Sequence, residues 1–173
     1  AVTMAAVATL DLASFNATIG SLAGATGSVV INSSFTGANT LTVGSDDTST
    51  TYGGTLMNAF GSTLNFTKTG AGTLTLTNTG STFLGKTVIQ NGAVSTPSIN
   101  SVVGGMAASG LGAPVTVANG TIDIGSTTNT GTLIYTGAGE TSDRVINMAG
   151  TTGGAGIESS GSGALVFTSP ITM

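Results

Sequence analysis

The sequence predicts an all-β chain in which short strands and tight turns repeat and stack as the coils of a β-solenoid. The first observation is alternation: Leu74 and Leu76 alternate with threonines at the two-residue period of a strand. The second is punctuation, because glycines interrupt such runs at short intervals and leave no room for helices between them. The third is composition, since only 6% of the residues are charged and 28 of the 173 are glycine.

Composition also excludes several classes of protein. Three bases stand against seven acids, and Lys68, Lys86 and Arg144 are too scattered for a phosphate-binding stripe, so we expect no nucleic-acid partner. The absence of cysteine excludes disulfides and thiolate metal sites. No apolar run approaches the roughly 18 residues of a membrane helix, so this segment is not expected to span a membrane. Residues 1–8 lack the basic region of a signal peptide, and any export signal is expected outside this chain.

The predicted strands follow one another along the whole chain. They lie near residues 18–22, 28–31, 40–43, 54–57, 62–66, 73–77, 87–90, 114–117, 131–135, 144–147 and 164–168. With roughly 20 to 25 residues per coil and about 4.8 Å per stacked strand, the chain should form seven or eight coils. Residues 100–111 lack the pattern and are expected to be a loop or one helical turn. No domain boundary is visible, so residues 1–173 are predicted to be a single solenoid segment.

Two stretches of the chain resemble each other. Residues 2–12 align with residues 115–124 at an offset of about 112 residues, with one residue more in the first copy. In each copy we expect a strand, a small-residue turn and a second strand that carries an outward aspartate, Asp11 or Asp123, between inward aliphatic residues. Because the second copy continues without closing, the chain is predicted to be a segment of a longer repeat array with both ends open.

Residues 68–94 resemble a known repeat, the autotransporter-associated β-strand repeat, also called the passenger-associated transport repeat. The matching positions are Lys68, Gly70, Gly72, Thr73, Leu74, Leu76, Phe83, Gly85, Ile89, Gly92 and Val94. Phe83 stands where the family usually has tyrosine, one extra residue precedes it, and the family's preceding asparagine is missing. The resemblance implies a right-handed parallel β-helix in long bacterial surface proteins that are secreted to the cell exterior, where the repeat serves transport and folding.

Candidate chemistry is sparse in this sequence. Asp46 and Asp47, near Tyr52, form the only acidic pair, but adjacent residues on an extended segment point apart, so a solvated turn is expected rather than an acid–base pair. Arg144 beside Asp143 is interpreted as a surface ion pair, with a remnant of a lyase-like site as the alternative. We predict no catalytic, cofactor-binding or metal-binding residues, no cofactor and no enzyme activity.

Glycine runs and threonine rows suggest further alternatives. Neither the run at 104–106 nor that at 153–156 is followed by the aspartate of a calcium β-roll, and Gly70 and Gly72 are interpreted as corners rather than a phosphate loop. The outward threonines at 73, 75 and 77 leave open a minor alternative, an ice-binding face. Sequons at Asn16, Asn32, Asn65 and Asn119 would matter only in a glycosylating host.

The function predicted from these observations is structural or adhesive. The chain should form a rigid extracellular rod or fibre that associates head to tail into filaments or binds a host or matrix glycan or protein. The runner-up is a carbohydrate-binding or carbohydrate-cleaving β-helix, for which acids and aromatics should gather on one groove; in the sequence they look dispersed. The predicted core includes Leu10, Leu12, Leu74, Leu76, Ile89, Val117, Ile122 and Ile124.

Overall fold

The computed structural model describes residues 1–103 and 108–173. It is a parallel β-solenoid in which these described residues form nineteen strands and one helical turn in chain order. The elements are β1 (Val2–Met4), β2 (Thr9–Asp11), β3 (Ala17–Ile19), β4 (Leu22–Gly24), β5 (Val29–Asn32), β6 (Gly37–Val43), β7 (Thr50–Tyr52), β8 (Thr55–Asn58), β9 (Ser62–Lys68), β10 (Thr73–Leu76), β11 (Thr87–Ile89), β12 (Gly92–Thr96), α1 (Val117–Gly120), β13 (Ile122–Ile124), β14 (Gly131–Tyr135), β15 (Ala138–Ser142), β16 (Ile146–Met148), β17 (Ala155–Ser159), β18 (Gly163–Phe167) and β19 (Ile171–Thr172).

Three faces run along the stack, and every strand pair within them is parallel. The first sheet has the order β1-β4-β7-β10-β12-β14-β17, and the second has the order β3-β6-β9-β11-β13-β16-β19. The third face consists of β2-β5-β8 and, further along, β15-β18. Each coil contributes one strand to the first sheet and one to the second, so seven coils are stacked, which agrees with the predicted seven or eight. The all-β, parallel solenoid fold predicted from the sequence is confirmed.

Coil length varies in a way that locates one inserted segment. Val2 pairs with Leu22, twenty residues further on, and most other coils are a few residues longer. Thr87 on β11, however, pairs with Ile122 on β13, thirty-five residues further on. The extra residues lie in the fifth coil, between β12 and β13, and we call residues 97–121 the inserted segment. The described residues of the fourth and fifth coils add no strand to the third face, and Ser81 of the fourth coil forms an isolated antiparallel bridge with Ser109 instead.

Side chains alternate between the core and the surface, as the two-residue period predicts. Along β9, every second residue from Ser62 to Lys68 is buried. Inside, the rings of Phe66 and Phe83 pack with centroids 6.5 Å apart. Six of the eight predicted core residues are buried and Leu10 is half-buried against them. The prediction that Val117 lies in the core is wrong, because its side chain is 62% exposed.

The strand predicted at residues 114–117 is also wrong, since Val117–Gly120 is a single helical turn. Thr116 begins it: its Oγ1 accepts a hydrogen bond from the Asn119 backbone N at 3.3 Å, as an N-cap hydroxyl does. The proposed correspondence between residues 2–12 and 115–124 fails with it. The first aspartate strand, Thr9–Asp11, lies in the third face, whereas the second, Ile122–Ile124, lies in the second sheet.

Two further expectations concern regions without strands. In the stretch 100–111, the described residues form turns and the bridge at Ser109, whereas residues 104–107, including the glycine run at 104–106, lie outside the described residues. None of the helices in the described part of the chain is long and apolar enough to cross a bilayer.

Candidate functional site

The predicted acidic pair lies in a turn where its two carboxylates face different coils. Asp46 accepts hydrogen bonds from the Ser21 hydroxyl at 2.9 Å, in the preceding coil, and from the Thr48 hydroxyl at 2.7 Å. Asp47 accepts one from the Ala71 backbone N at 2.7 Å, in the following coil. The two side chains thus point apart and connect three coils in succession.

The electrostatics of this turn differ from those of a general acid. The hydrogen bond from Thr48 is the largest cause that lowers the pKa of Asp46 to about 2, and the bond from Ser21 acts in the same direction. A general acid at neutral pH needs a raised pKa instead. Tyr52 lies in the core, where burial raises its pKa and its hydroxyl donates to the Thr55 carbonyl at 3.2 Å. Tyr52 is therefore not a surface group beside Asp46 and Asp47.

Arg144 is not the surface ion pair expected from the sequence. Its side chain is fully buried, and its guanidinium donates to the carbonyls of Gly120 at 2.7 Å, Leu111 at 2.9 Å and Ile99 at 3.1 Å. Burial lowers the pKa of Arg144 to about 10, which still leaves it protonated at neutral pH. Its three carbonyl partners all belong to the inserted segment, so Arg144 binds that segment to the sixth coil.

Two carboxylates of the sixth coil bind the same segment through its backbone N–H groups. Asp143 accepts from Val102 N at 2.5 Å and from Val103 N at 2.8 Å. Glu140 accepts from Ile99 N at 2.9 Å and from Asn100 N. Three of the chain's ten charged side chains therefore hold the described part of the inserted segment against the next coil.

Lys68, the first residue of the repeat-like stretch, has a comparable structural role. Its side chain is buried, and Nζ donates to the carbonyls of Thr69 at 2.5 Å, Gly70 at 2.8 Å and Asn91 at 3.3 Å. Burial lowers the pKa of Lys68, and Asp47 partly opposes this effect. Gly70, at φ +68°, closes the same corner: a Cβ there would lie 1.7 Å from the Gly44 carbonyl oxygen. The interpretation of these glycines as corners is confirmed.

The outward threonines of successive coils form short columns along the two long sheets. On the first sheet, Thr75 lies beside Thr51, but its other neighbour is Ser95. The longer column is on the second sheet, where Thr18, Thr42 and Thr67 lie in register. Val88 follows them on the fourth coil and ends the column. The rows around residues 73–77 are therefore irregular, as the sequence indicated, and the second sheet carries a three-coil column that the sequence reasoning missed.

A group of exposed aromatic residues was also missed. Phe15, Phe35 and Phe60 are 74%, 87% and 95% exposed, and each lies in the connection from the third face to the second sheet in one of the first three coils. We call this group the phenylalanine corner. The sequence reasoning regarded the aromatics as dispersed, which is wrong for these three. Their spacing of 20 and 25 residues, equal to one coil length each, was the signal that could have found them.

A shallow cavity of about 320 Å³ adjoins this corner. It is lined by Asn58, Ala59, Phe60, Gly61, Thr82 and Leu84. Asn58 is held in place because its Oδ1 accepts from Leu84 N at 2.8 Å. Within the described residues, no group of three or more His, Cys, Asp or Glu side chains is placed to hold a metal ion.

The geometry defines a parallel β-solenoid whose charged groups mostly bind its own backbone and neighbouring coils. In sequence, the chain is 35% identical over 166 residues to Adhesin BmaC autotransporter of Brucella suis biovar 1. The matched region covers 95% of this chain and 4% of that adhesin, so the chain spans only a small part of its relative. No protein-family model matches the chain, and no solved structure matches it. The similarity confirms the predicted relationship to autotransporter proteins.

Proposed function

We propose that this chain is a structural and adhesive segment of a bacterial surface protein, which extends a rigid rod and presents binding surfaces along it. The observation that carries the proposal is the similarity to an autotransporter adhesin over 95% of the chain. The fold supports it, because a stack of parallel coils can continue with further coils, within one chain or between chains associated head to tail into filaments.

The proposed role is not enzymatic. Asp46, Glu140, Asp143 and Arg144 each hold backbone or side-chain groups of adjoining segments. A carbohydrate-cleaving site would need two carboxylates facing a common cleft, and the one adjacent pair points apart. The carbohydrate-binding alternative is favoured by a specific observation, the exposed phenylalanine corner.

The adhesive role is tested with beads coated with the purified chain and applied to host cells and to extracellular matrix. We expect cells and matrix to retain more beads coated with the original chain than beads coated with the Leu76→Asp variant, in which one coil should be disrupted. Equal retention by the two would contradict an adhesive function of the folded chain.

The structural role is tested by electron microscopy at several protein concentrations. Short rods, or fibres with a repeat near 4.8 Å along the axis, would support the proposal, and fibres alone would support filament formation. Compact particles without an elongated axis would contradict it.

A further inference from the structure

The phenylalanine corner is unusual because this chain buries its other large aromatic residues. Phe66 and Phe83 are fully buried, and Phe167 is packed against the core. The three phenylalanines that remain exposed all lie at the same corner of successive coils. Exposed apolar residues that gather in one region of a folded protein mark an interaction site more often than isolated ones do.

Hydrogen bonds and close backbone packing hold these three connections against one another. Ser14 precedes Phe15. Its backbone N–H donates a hydrogen bond to Asn32 Oδ1 at 3.4 Å, and its carbonyl oxygen accepts one from Asn39 Nδ2 at 2.8 Å. Gly61, which follows Phe60, lies directly over Phe35, since a Cβ on it would be 2.3 Å from the Phe35 carbonyl oxygen. Gly37 pairs with Ser62, so Phe35 and Phe60 occupy equivalent positions of successive coils, and Phe15 lies in the same connection one coil earlier, close to Asn39.

The surroundings of the corner are polar but uncharged. The corner residues 12–16, 33–37 and 59–61 include no Asp, Glu, Lys or Arg. The nearest carboxylate in sequence, Asp11, is engaged by the Ser33 hydroxyl at 2.6 Å, and Lys86 forms an ion pair with Asp123 at 2.6 Å. The cavity beside Phe60 adds the amide of Asn58 and the exposed Thr82.

We propose that the phenylalanine corner and the cavity beside Phe60 bind an uncharged polysaccharide that lies along the solenoid axis. A sugar ring has an apolar C–H face, which packs on an aromatic ring, and a hydroxyl edge, which suits amide and hydroxyl neighbours. An anionic polysaccharide would find no lysine or arginine to pair with in residues 12–16, 33–37 and 59–61.

This inference rests on the proposed adhesive function and gives it a ligand class. The experiment uses the 173-residue chain and a panel of neutral polymers (β-glucan, galactan, mannan and chitin oligosaccharides), with polygalacturonate as the anionic comparison. Binding is measured by gel retardation and by calorimetry. We expect at least one neutral polymer to bind, polygalacturonate to bind more weakly, and the Phe15→Ala, Phe35→Ala, Phe60→Ala triple variant to lose at least tenfold in affinity.

The matched control is Val117→Ala, which removes an exposed apolar side chain from α1 and should leave affinity unchanged. Circular dichroism should show both variants folded. The inference is overturned if no neutral polymer binds, or if the triple variant binds as tightly as the original chain. It is also overturned if the triple variant abolishes a concentration-dependent dimer instead, because the corner would then bind a second copy. Bead adhesion that persists in the triple variant would contradict the ligand assignment alone and leave the adhesive function standing.

Discussion

At the scale of single residues, the chain uses its few charges to satisfy its own backbone. Lys68 and Arg144 are buried, and their hydrogen bonds go to carbonyl oxygens. Statistics of burial place such side chains at the surface, which is why sequence reasoning assigned Arg144 to a surface ion pair. Nothing in a single sequence shows that carbonyls of a segment twenty or more residues away will surround a guanidinium.

Replacing Lys68 tests this role. Lys68→Met keeps the apolar stem but leaves the carbonyls of Thr69, Gly70 and Asn91 without their donor. We expect the free energy of unfolding, measured in urea, to fall by roughly 1 to 3 kcal/mol. Lys86→Met is the control, because its half-exposed ion pair with Asp123 should contribute at most about 1 kcal/mol. Equal losses in the two variants would contradict the distinction.

Asp46 makes stability depend on pH in the acid range. Its pKa is about 2 in the folded chain against an ordinary value of 3.8, so the folded state binds the proton less readily than the unfolded state. The stabilisation is complete above the ordinary pKa and is lost as the pH falls through 2. Asp11, whose pKa is also lowered, chiefly by the Ser33 hydroxyl, acts in the same direction.

Urea unfolding from about pH 5 down to about pH 2 measures this effect. Asp46→Asn should reduce the loss of stability over this range, and Thr48→Val should reduce it as well, since it removes the main donor. Ser45→Ala, in the same turn, should leave the pH dependence unchanged. An unaltered profile in Asp46→Asn would show that this carboxylate is not responsible.

At the scale of elements, the two-residue alternation was informative where inward aliphatic residues are dense. Strands β9 and β10 follow the sequence pattern within two residues. Strands β15 and β17 were missed, because AGETS and AGIES carry too few apolar residues to show a period. At residues 114–117, β-branched valines suggested a strand, but the Thr116 cap and the return from the inserted segment produce a helical turn instead.

The inward and outward faces of β10 can be tested by a matched pair of variants. Leu76 is 3% exposed, whereas Thr75, its neighbour, is half-buried on the outer face. Leu76→Asp places an unpaired carboxylate in the core, and we expect a loss of at least about 3 kcal/mol. Thr75→Asp should cost about 1 kcal/mol or less. Thermal melting distinguishes them, and similar melting temperatures would mean that the assignment of faces is wrong.

At the scale of the whole molecule, the solenoid class followed from composition and repeats, whereas the placement of functional features depended on register. Phe15, Phe35 and Phe60 recur in the sequence at 20 and 25 residues, but coil lengths of 20 to 28 residues in this region make such a spacing ambiguous until the strands are paired. Only the strand pairing assigns them to one corner. The same pairing brings the described part of the inserted segment against the sixth coil, where Glu140, Asp143 and Arg144 hold it.

This arrangement determines how cooperatively the stack unfolds. Between β8 and β15 the third face has no strand among the described residues, so the fourth and fifth coils pair mainly through the first and second sheets. Stability in such a stack is the sum of coil terms and interfaces between neighbours. Arg144 strengthens this weakened region, because it connects the sixth coil to Ile99, Leu111 and Gly120.

Arg144→Leu should therefore uncouple the last two coils from the first three. Hydrogen exchange measures this effect. We expect amides of β14 to β18 to exchange roughly 10 to 100 times faster in the variant, which corresponds to a fall of about 1.4 to 2.8 kcal/mol in their opening free energy. The exchange rates of amides in β5 to β9 should change little. Val145→Ala, next to Arg144 but half-buried on the outer face, should leave both groups of amides unchanged. If exchange in Arg144→Leu accelerates equally in all coils, the stack unfolds as one unit and the interrupted third face does not divide it.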